Sequence, residues 1–262
     1  MDSLVQIATD HGIYIMPTLW TFGMTRSDSG WSKNWQQYRQ IINDVNKTRW
    51  YTEYFLIPFV QRYNENPYVL GIDICNEPEH MWRDENTGKL NQDNVLRFVA
   101  YCAAAIHEHS QKLATVGSMW IIYNSDRYQG WDVGSGNCYK DSKLQSLYNN
   151  PDAYLDFWSP HWYQWQSTGG PFETSIGYWL DNGDRPAILG ETYGGNVNSG
   201  TQGNCCGYDI TMANFYKNSY WNGYRGVVGW MNPHENDGYG TFSGITSGTN
   251  DFYNNFPELV YP

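Results

Sequence analysis

Tyr68-Val-Leu-Gly-Ile-Asp-Ile-Cys75 is a run that is apolar but for Gly71 and Asp73, and it stops at Asn76-Glu77-Pro78. A short run of this kind, closed by a proline that cannot extend a ladder, reads as a strand buried on both faces. Such strands belong to parallel sheets covered by helices. The reading puts Glu77 at the carboxyl end of the strand, where α/β folds keep their chemistry.

The same grammar repeats outward from this strand. Downstream, Asp93 reads as the N-cap of a helix from about Asn94 to His109, followed by a strand at Leu113–Met119. Leu155–His161, Pro186–Glu191 and Gly226–Met231 are further strands, with helices predicted at Phe172–Leu180 and Ile210–Trp221. Upstream, Leu4, Ile7 and Ala8 recur at helical spacing until Gly12 ends the helix, and Ile13–Trp20 reads as a strand. Residues 21–35 read as a polar loop, and Trp50–Asn64 as an amphipathic helix despite Pro58. Strands alternating with helices signal βαβ units and a parallel sheet. No Pro/Ser-rich linker or charge block divides the chain, so residues 1–262 are expected to form one domain.

Composition narrows the class. With 16 Lys+Arg against 27 Asp+Glu, the net charge of −11 argues against a nucleic-acid partner, whose phosphates demand a basic surface. Charged residues make up 16% and aromatics 17%, the reverse of a disordered chain. No apolar run approaches the roughly 20 residues needed to cross a bilayer. The aromatic excess offers flat faces on which sugar rings stack, although most of these rings are expected in the core. The five cysteines lack metal-ligand spacing. Cys75 and Cys102 read as buried thiols. A disulfide from Cys138 to Cys205 or Cys206 is compatible with their loop settings and would imply an oxidising compartment. The first residues carry neither the basic nor the apolar segment of a signal peptide.

Two strand ends carry carboxylates: Glu77, and Glu191 after Pro-Ala-Ile-Leu-Gly. A lone glutamate there serves equally well to cap a helix or pair with a rim arginine. Two at equivalent places around one barrel mouth suit glycosidic cleavage, in which one carboxyl donates a proton and the other attacks the anomeric carbon or activates water.

Gly71-Ile-Asp-Ile-Cys-Asn-Glu-Pro78 resembles the fourth-strand signature of glycoside hydrolase family 5 and its clan of retaining barrels. The resemblance implies a (β/α)8 TIM-barrel fold, with Glu77 as general acid/base and Asn76 on the sugar 2-hydroxyl. His161 and Tyr163, in Ser-Pro-His-Trp-Tyr, match the sixth-strand pair that lines the cleavage site. Glu191, in Ile-Leu-Gly-Glu-Thr-Tyr, matches the nucleophile, and Trp230 the eighth-strand floor of the −1 subsite. Trp20-Thr-Phe-Gly23 is similar in style to a segment of the family's β-mannanases.

Matched in this way, Ile13–Trp20 is the family's third strand. Six strands are expected, the first two lacking, together with the second-strand Arg that holds the nucleophile. The edges at Ile13–Trp20 and Gly226–Met231 then need upstream residues, an unusual closure or a homodimer to cover them; otherwise a monomer is expected. An ionised Glu191 beside Glu77 needs donors in place of the Arg.

The resemblance implies a retaining endo-β-1,4-glycanase acting on mannan or glucan, secreted, with no metal or organic cofactor and with its carboxyl groups about 5–5.5 Å apart. The alternative is a weakened or inactive barrel remnant that binds polysaccharide. Trp82, Trp131 and Trp165 are candidate sugar platforms, as is Trp20, though loop tryptophans also serve to pin loops. His107 and His109 read as surface residues and Asp73 as structural. His234, Glu235 and Asp237 are polar candidates beyond the last strand.

Overall fold

The computed structural model describes residues 1–30, 33–128, 136–166, 170–171, 173–180, 185–198, 201, 208–231 and 237–260. The chain forms two compact units. The first comprises Met1–Met119 with Asn137–Trp158, and the second Trp120–Gly136 with Ser159–Pro262.

The first unit runs α1 (Asp2–Asp10), α2 (Trp35–Asn43), α3 (Val45–Tyr51), α4 (Ile57–Arg62), β1 (Gly71–Asn76), α5 (Glu79–Arg83), α6 (Gln92–His109), β2 (Leu113–Ser118) and α7 (Asp141–Tyr148). β1 and β2 are parallel, with Gly71 opposite Leu113 and Asn76 opposite Gly117. Between them Asp73, buried as expected of a structural residue, accepts from Gly117 N at 2.9 Å and from Thr18 Oγ1 at 2.9 Å. One carboxylate thus ties three neighbouring segments together. Helix α6 packs on both strands, and Val95, Leu96 and the whole stretch Phe98–Ile106 are buried, so this helix is apolar nearly all round.

Several expectations change here. Ile13–Trp20 runs parallel to β1 through isolated bridges at Ile15–Val69 and Thr18–Asp73 rather than as a continuous strand. Pro17 is the physical reason: it has no N–H to give the ladder, although its carbonyl accepts from Asp73 N at 3.0 Å. The expected Trp50–Asn64 helix is really α3 and α4 joined by a π-turn at Thr52–Leu56, in which Ile57 N reaches Thr52 O. The wider turn directly precedes Pro58, whose ring would collide with the carbonyl four residues back in a regular helix. Helix α1 buries Val5 and Ala8 and leaves Leu4 and Ile7 exposed, because it packs through Val5 against Tyr63 and Val69. The cap of α6 is Asn91, whose Oδ1 accepts from Asn94 N at 3.2 Å, while Asp93 pairs with Lys143 at 2.6 Å. His107 is no ordinary surface residue: its ring nitrogens lie 2.8 Å from Asp152 O and 3.0 Å from Asp156 Oδ2.

The second unit contains β3 (Ser159–Pro160), α8 (Ile176–Trp179), β4 (Leu189–Tyr193), α9 (Met212–Trp221), β5 (Val227–Trp230) and α10 (Phe242–Asn255). β4 and β5 are parallel, with Tyr193 opposite Trp230, and His161 bridges Glu191 in the same sense. The described residues therefore hold five strands rather than six. The run Leu155–His161 keeps only its Ser159–Pro160 portion as strand, and the strand near Glu191 starts later than expected and continues through Tyr193. Of the predicted helix at Phe172–Leu180, the described residues hold α8 only at Ile176–Trp179. Helix α10 was not legible at all, since its Gly- and Asn-containing sequence carries little helical signal. It is capped by Thr241 Oγ1, which accepts from Gly244 N at 3.0 Å.

Candidate active site

The motif residues fall in both units, Asn76 and Glu77 in the first and His161, Tyr163, Glu191 and Trp230 in the second. In the first unit, Glu77 leaves the end of β1 with a left-handed backbone, φ +47°. Its N–H donates to Gly117 O at 2.7 Å, which continues the ladder by one residue beyond the strand. Pro78 then fixes the entry to α5, the helix that immediately follows. From that helix His80 Nε2 stands 3.3 Å from Glu77 Oε2. Asn76 holds the preceding position, its N–H donating to Trp20 O at 2.8 Å.

Glu79, which the sequence reading passed over, is fully buried. Its Oε1 accepts from Tyr139 OH at 2.6 Å and its Oε2 from Met119 N at 3.0 Å. Burial pushes its pKa up to about 7; those two donors oppose the rise, and the nearby Glu77 adds to it.

In the second unit, Glu191 lies in the middle of β4. Tyr163 OH donates to its Oε1 at 2.7 Å, and His161 Nδ1 is 3.6 Å from its Oε2. Backbone pairing sets this geometry, since Trp162 N donates to Glu191 O at 2.9 Å. The Tyr163 ring is wedged edge-on between Tyr193 and Tyr239, with centroids at 5.2 and 4.9 Å. Gly190 lets the two strands approach: a Cβ there would lie 2.1 Å from Ser159 Oγ and 3.0 Å from Ser159 O. Trp230, at the end of β5, donates from its indole Nε1 to Asp237 Oδ2 at 2.7 Å. Asp237 therefore orients the tryptophan, a role that its place seven residues later did not reveal.

The tryptophan candidates separate. Trp20 is 3% exposed, packed edge-on against Tyr38, Tyr51 and Phe98 at 4.8–5.4 Å, and is a core residue rather than a sugar platform. Trp82 lies on α5 and not in a loop, and is 5% exposed, so its face is not presented either. Trp165, in the single turn Gln164–Gln166, is 43% exposed and keeps a face open. Trp131, His234 and Glu235 lie outside the described residues, as do Cys205 and Cys206, the partners considered for Cys138. Cys138 itself is buried, with Gln92 Nε2 at 3.5 Å from its Sγ.

Parallel strands with acids and aromatic rings at or near their carboxyl ends define an α/β protein of the class that includes barrel hydrolases. The chain belongs to the cellulase family, glycosyl hydrolase family 5, whose model matches residues 1–225. It is 23% identical over 256 residues to a mannan endo-1,4-beta-mannosidase of Cryptopygus antarcticus, and 24% identical over 254 residues to one of Mytilus edulis. It spans 60% and 63% of the length of those two proteins. Among solved structures, the beta-1,4-mannanase of the sea hare Aplysia kurodai superposes with a TM-score of 0.76 at 22% identity, covering 99% of this chain and 73% of that one. The beta-mannanase of Mytilus edulis gives 0.75 at 20% identity, covering 100% and 73%. The likeness is one of fold, the (β/α)8 class expected from the motifs.

Proposed function

We propose that this chain hydrolyses β-1,4-linked mannan with retention of configuration, Glu77 serving as general acid/base and Glu191 as nucleophile. The observation that carries the reading is the setting of Glu191, which receives the Tyr163 hydroxyl at 2.7 Å and has His161 at 3.6 Å. These polar groups suit an ionised carboxylate awaiting an electrophile, and they stand in for part of what the expected second-strand arginine would supply. Mannan is favoured over glucan because the named relatives are mannanases. By order of motifs, we assign the strand-like and strand segments to the third through eighth strands of the barrel.

In the first step Glu77 gives its proton to the glycosidic oxygen while Glu191 attacks the anomeric carbon, forming a glycosyl ester. In the second, Glu77 takes a proton from water, which displaces the ester. Asn76 binds the sugar 2-hydroxyl, Trp230 floors the reacting subsite and Trp165 offers a further stacking face. Action on such a polysaccharide suits a secreted enzyme.

The test is reducing-sugar release from mannan and from carboxymethyl-cellulose, with Glu191→Ala as control. Release from mannan that falls by more than about 10³-fold in the variant is expected, as for loss of a nucleophile. Binding of mannan by the wild-type chain without release would overturn the enzymatic reading and favour a polysaccharide-binding remnant.

A further inference from the structure

Helix α5 is a single turn, Glu79–Arg83, placed directly after the proposed proton donor. Its first two residues make different contacts. Glu79 turns inward, where the Tyr139 hydroxyl at 2.6 Å and the Met119 N–H at 3.0 Å hold its two oxygens. A buried carboxyl group is costly, and an apolar side chain would fill the same space without that cost. What the acid adds is direction, a tether from the start of α5 to the end of β2 and to Tyr139. His80 turns back toward Glu77, with Nε2 3.3 Å from Oε2. Its ring lies on that of Phe22, centroids 4.4 Å apart. The Phe22 ring is in turn covered by the Arg26 guanidinium at 5.9 Å, which Asp28 holds at 3.0 Å.

We propose that His80 is a positioning residue for Glu77, holding one carboxyl oxygen so that the group keeps a single orientation through both steps, and that Glu79 tethers the turn presenting it. This rests on the reading of Glu77 as general acid/base. With its proton on Nε2, 3.3 Å from Oε2, His80 turns a positive edge to that oxygen whether Glu77 is ionised or protonated. The transferable proton therefore resides on Oε1 in the first step and returns there in the second. A carboxyl group free to rotate would present the wrong oxygen for part of the time, and general acid assistance would fall accordingly.

Aryl β-mannobiosides with different leaving groups provide the test. A phenyl leaving group needs the proton, whereas a 2,4-dinitrophenyl group departs without it. His80→Ala is expected to lower kcat/KM, which reports the first step, about tenfold on the phenyl substrate, to leave kcat/KM on the dinitrophenyl substrate unaffected, and to be partly rescued in His80→Gln, whose amide donates from a similar place. Equal losses of kcat/KM on both substrates, or none on either, would overturn the proposal. Glu77→Gln is run alongside: if it spares the phenyl substrate, the reading of Glu77 itself fails, whatever His80 does.

A second arm requires no turnover. The carboxyl ¹³C resonance that disappears in Glu77→Gln is followed through a pH titration. Its midpoint should rise in His80→Ala and fall back in His80→Gln, because a donor favours the ionised carboxylate. Glu79 and the Cys75 thiol also interact electrostatically with Glu77 and are present in every variant, so their contribution cancels. An unmoved midpoint would remove the contact from the mechanism.

Discussion

At the scale of single residues, the most informative group outside the family motifs is Glu79. Its folded-state pKa of about 7 stands above the ordinary value of 4.5 because the carboxyl is buried. Below 4.5 the proton is bound in both folded and unfolded chains. Between 4.5 and 7 the unfolded chain ionises while the folded one retains its proton, so stability falls as pH rises through that window. The loss is of order 3 kcal/mol, given about 1.4 kcal/mol per pH unit. Glu79→Gln keeps an acceptor for Met119 N and turns its amide N–H toward the Tyr139 hydroxyl oxygen in place of the acceptor Oε1, yet has nothing to ionise. Urea unfolding of the two proteins at pH 4.5 and 7.5 should therefore show a steeper decline for the wild type. Parallel declines would mean that Glu79 ionises freely. Nothing in the sequence separated Glu79 from the other carboxylates of the chain, because its burial depends on Tyr139, sixty residues away. Glu77 and Glu191 were legible because each follows an apolar run, a local signal. Trp20 was misread for the complementary reason: its indole looked available until Tyr38, Tyr51 and Phe98 closed around it.

Among elements, the contact of β3 with β4 positions the Glu191 carboxylate, and Gly190 permits it. Gly190→Ala would drive a methyl group into Ser159. A loss of roughly 1–3 kcal/mol is expected for such overpacking, read as a lower urea midpoint, with turnover falling as Glu191 shifts. An unchanged midpoint would show that the strands give way without cost. The elements were legible to different degrees. β1, β2 and β5 emerged close to their predicted bounds because each is a short, mostly apolar run. Ile13–Trp20 lost its ladder to Pro17, and the helix carrying Pro58 gained a π-turn. In both cases the chain kept its course and changed its hydrogen bonding, which periodicity alone does not report. Helix α10 depends on its cap and on packing against α9, neither of which appears in its own composition.

For the whole molecule, family membership rests on the family model that matches residues 1–225, while the proposed reaction has the two glutamates act on one bond. If Glu191 forms a glycosyl ester, the first sugar released from mannan carries the β-anomer, and proton NMR of the early product records it before mutarotation. An initial α-anomer would mean direct attack by water and would reassign Glu191 as a base. The separation into two units leaves this expectation untouched, since stereochemistry counts displacements at carbon.

The left-handed backbone of Glu77 also bears on how such a chain can change over generations. One base change turns a glutamate codon into glycine or into valine. Glycine accepts φ +47° without strain, whereas valine, branched at Cβ, resists it at a cost on the order of 1–2 kcal/mol. Under the role proposed for Glu77 both changes end proton transfer, but the first leaves the turn at ease and the second works against it. Descendants that abandon the chemistry while keeping the scaffold should therefore accumulate glycine at this position far more readily than valine.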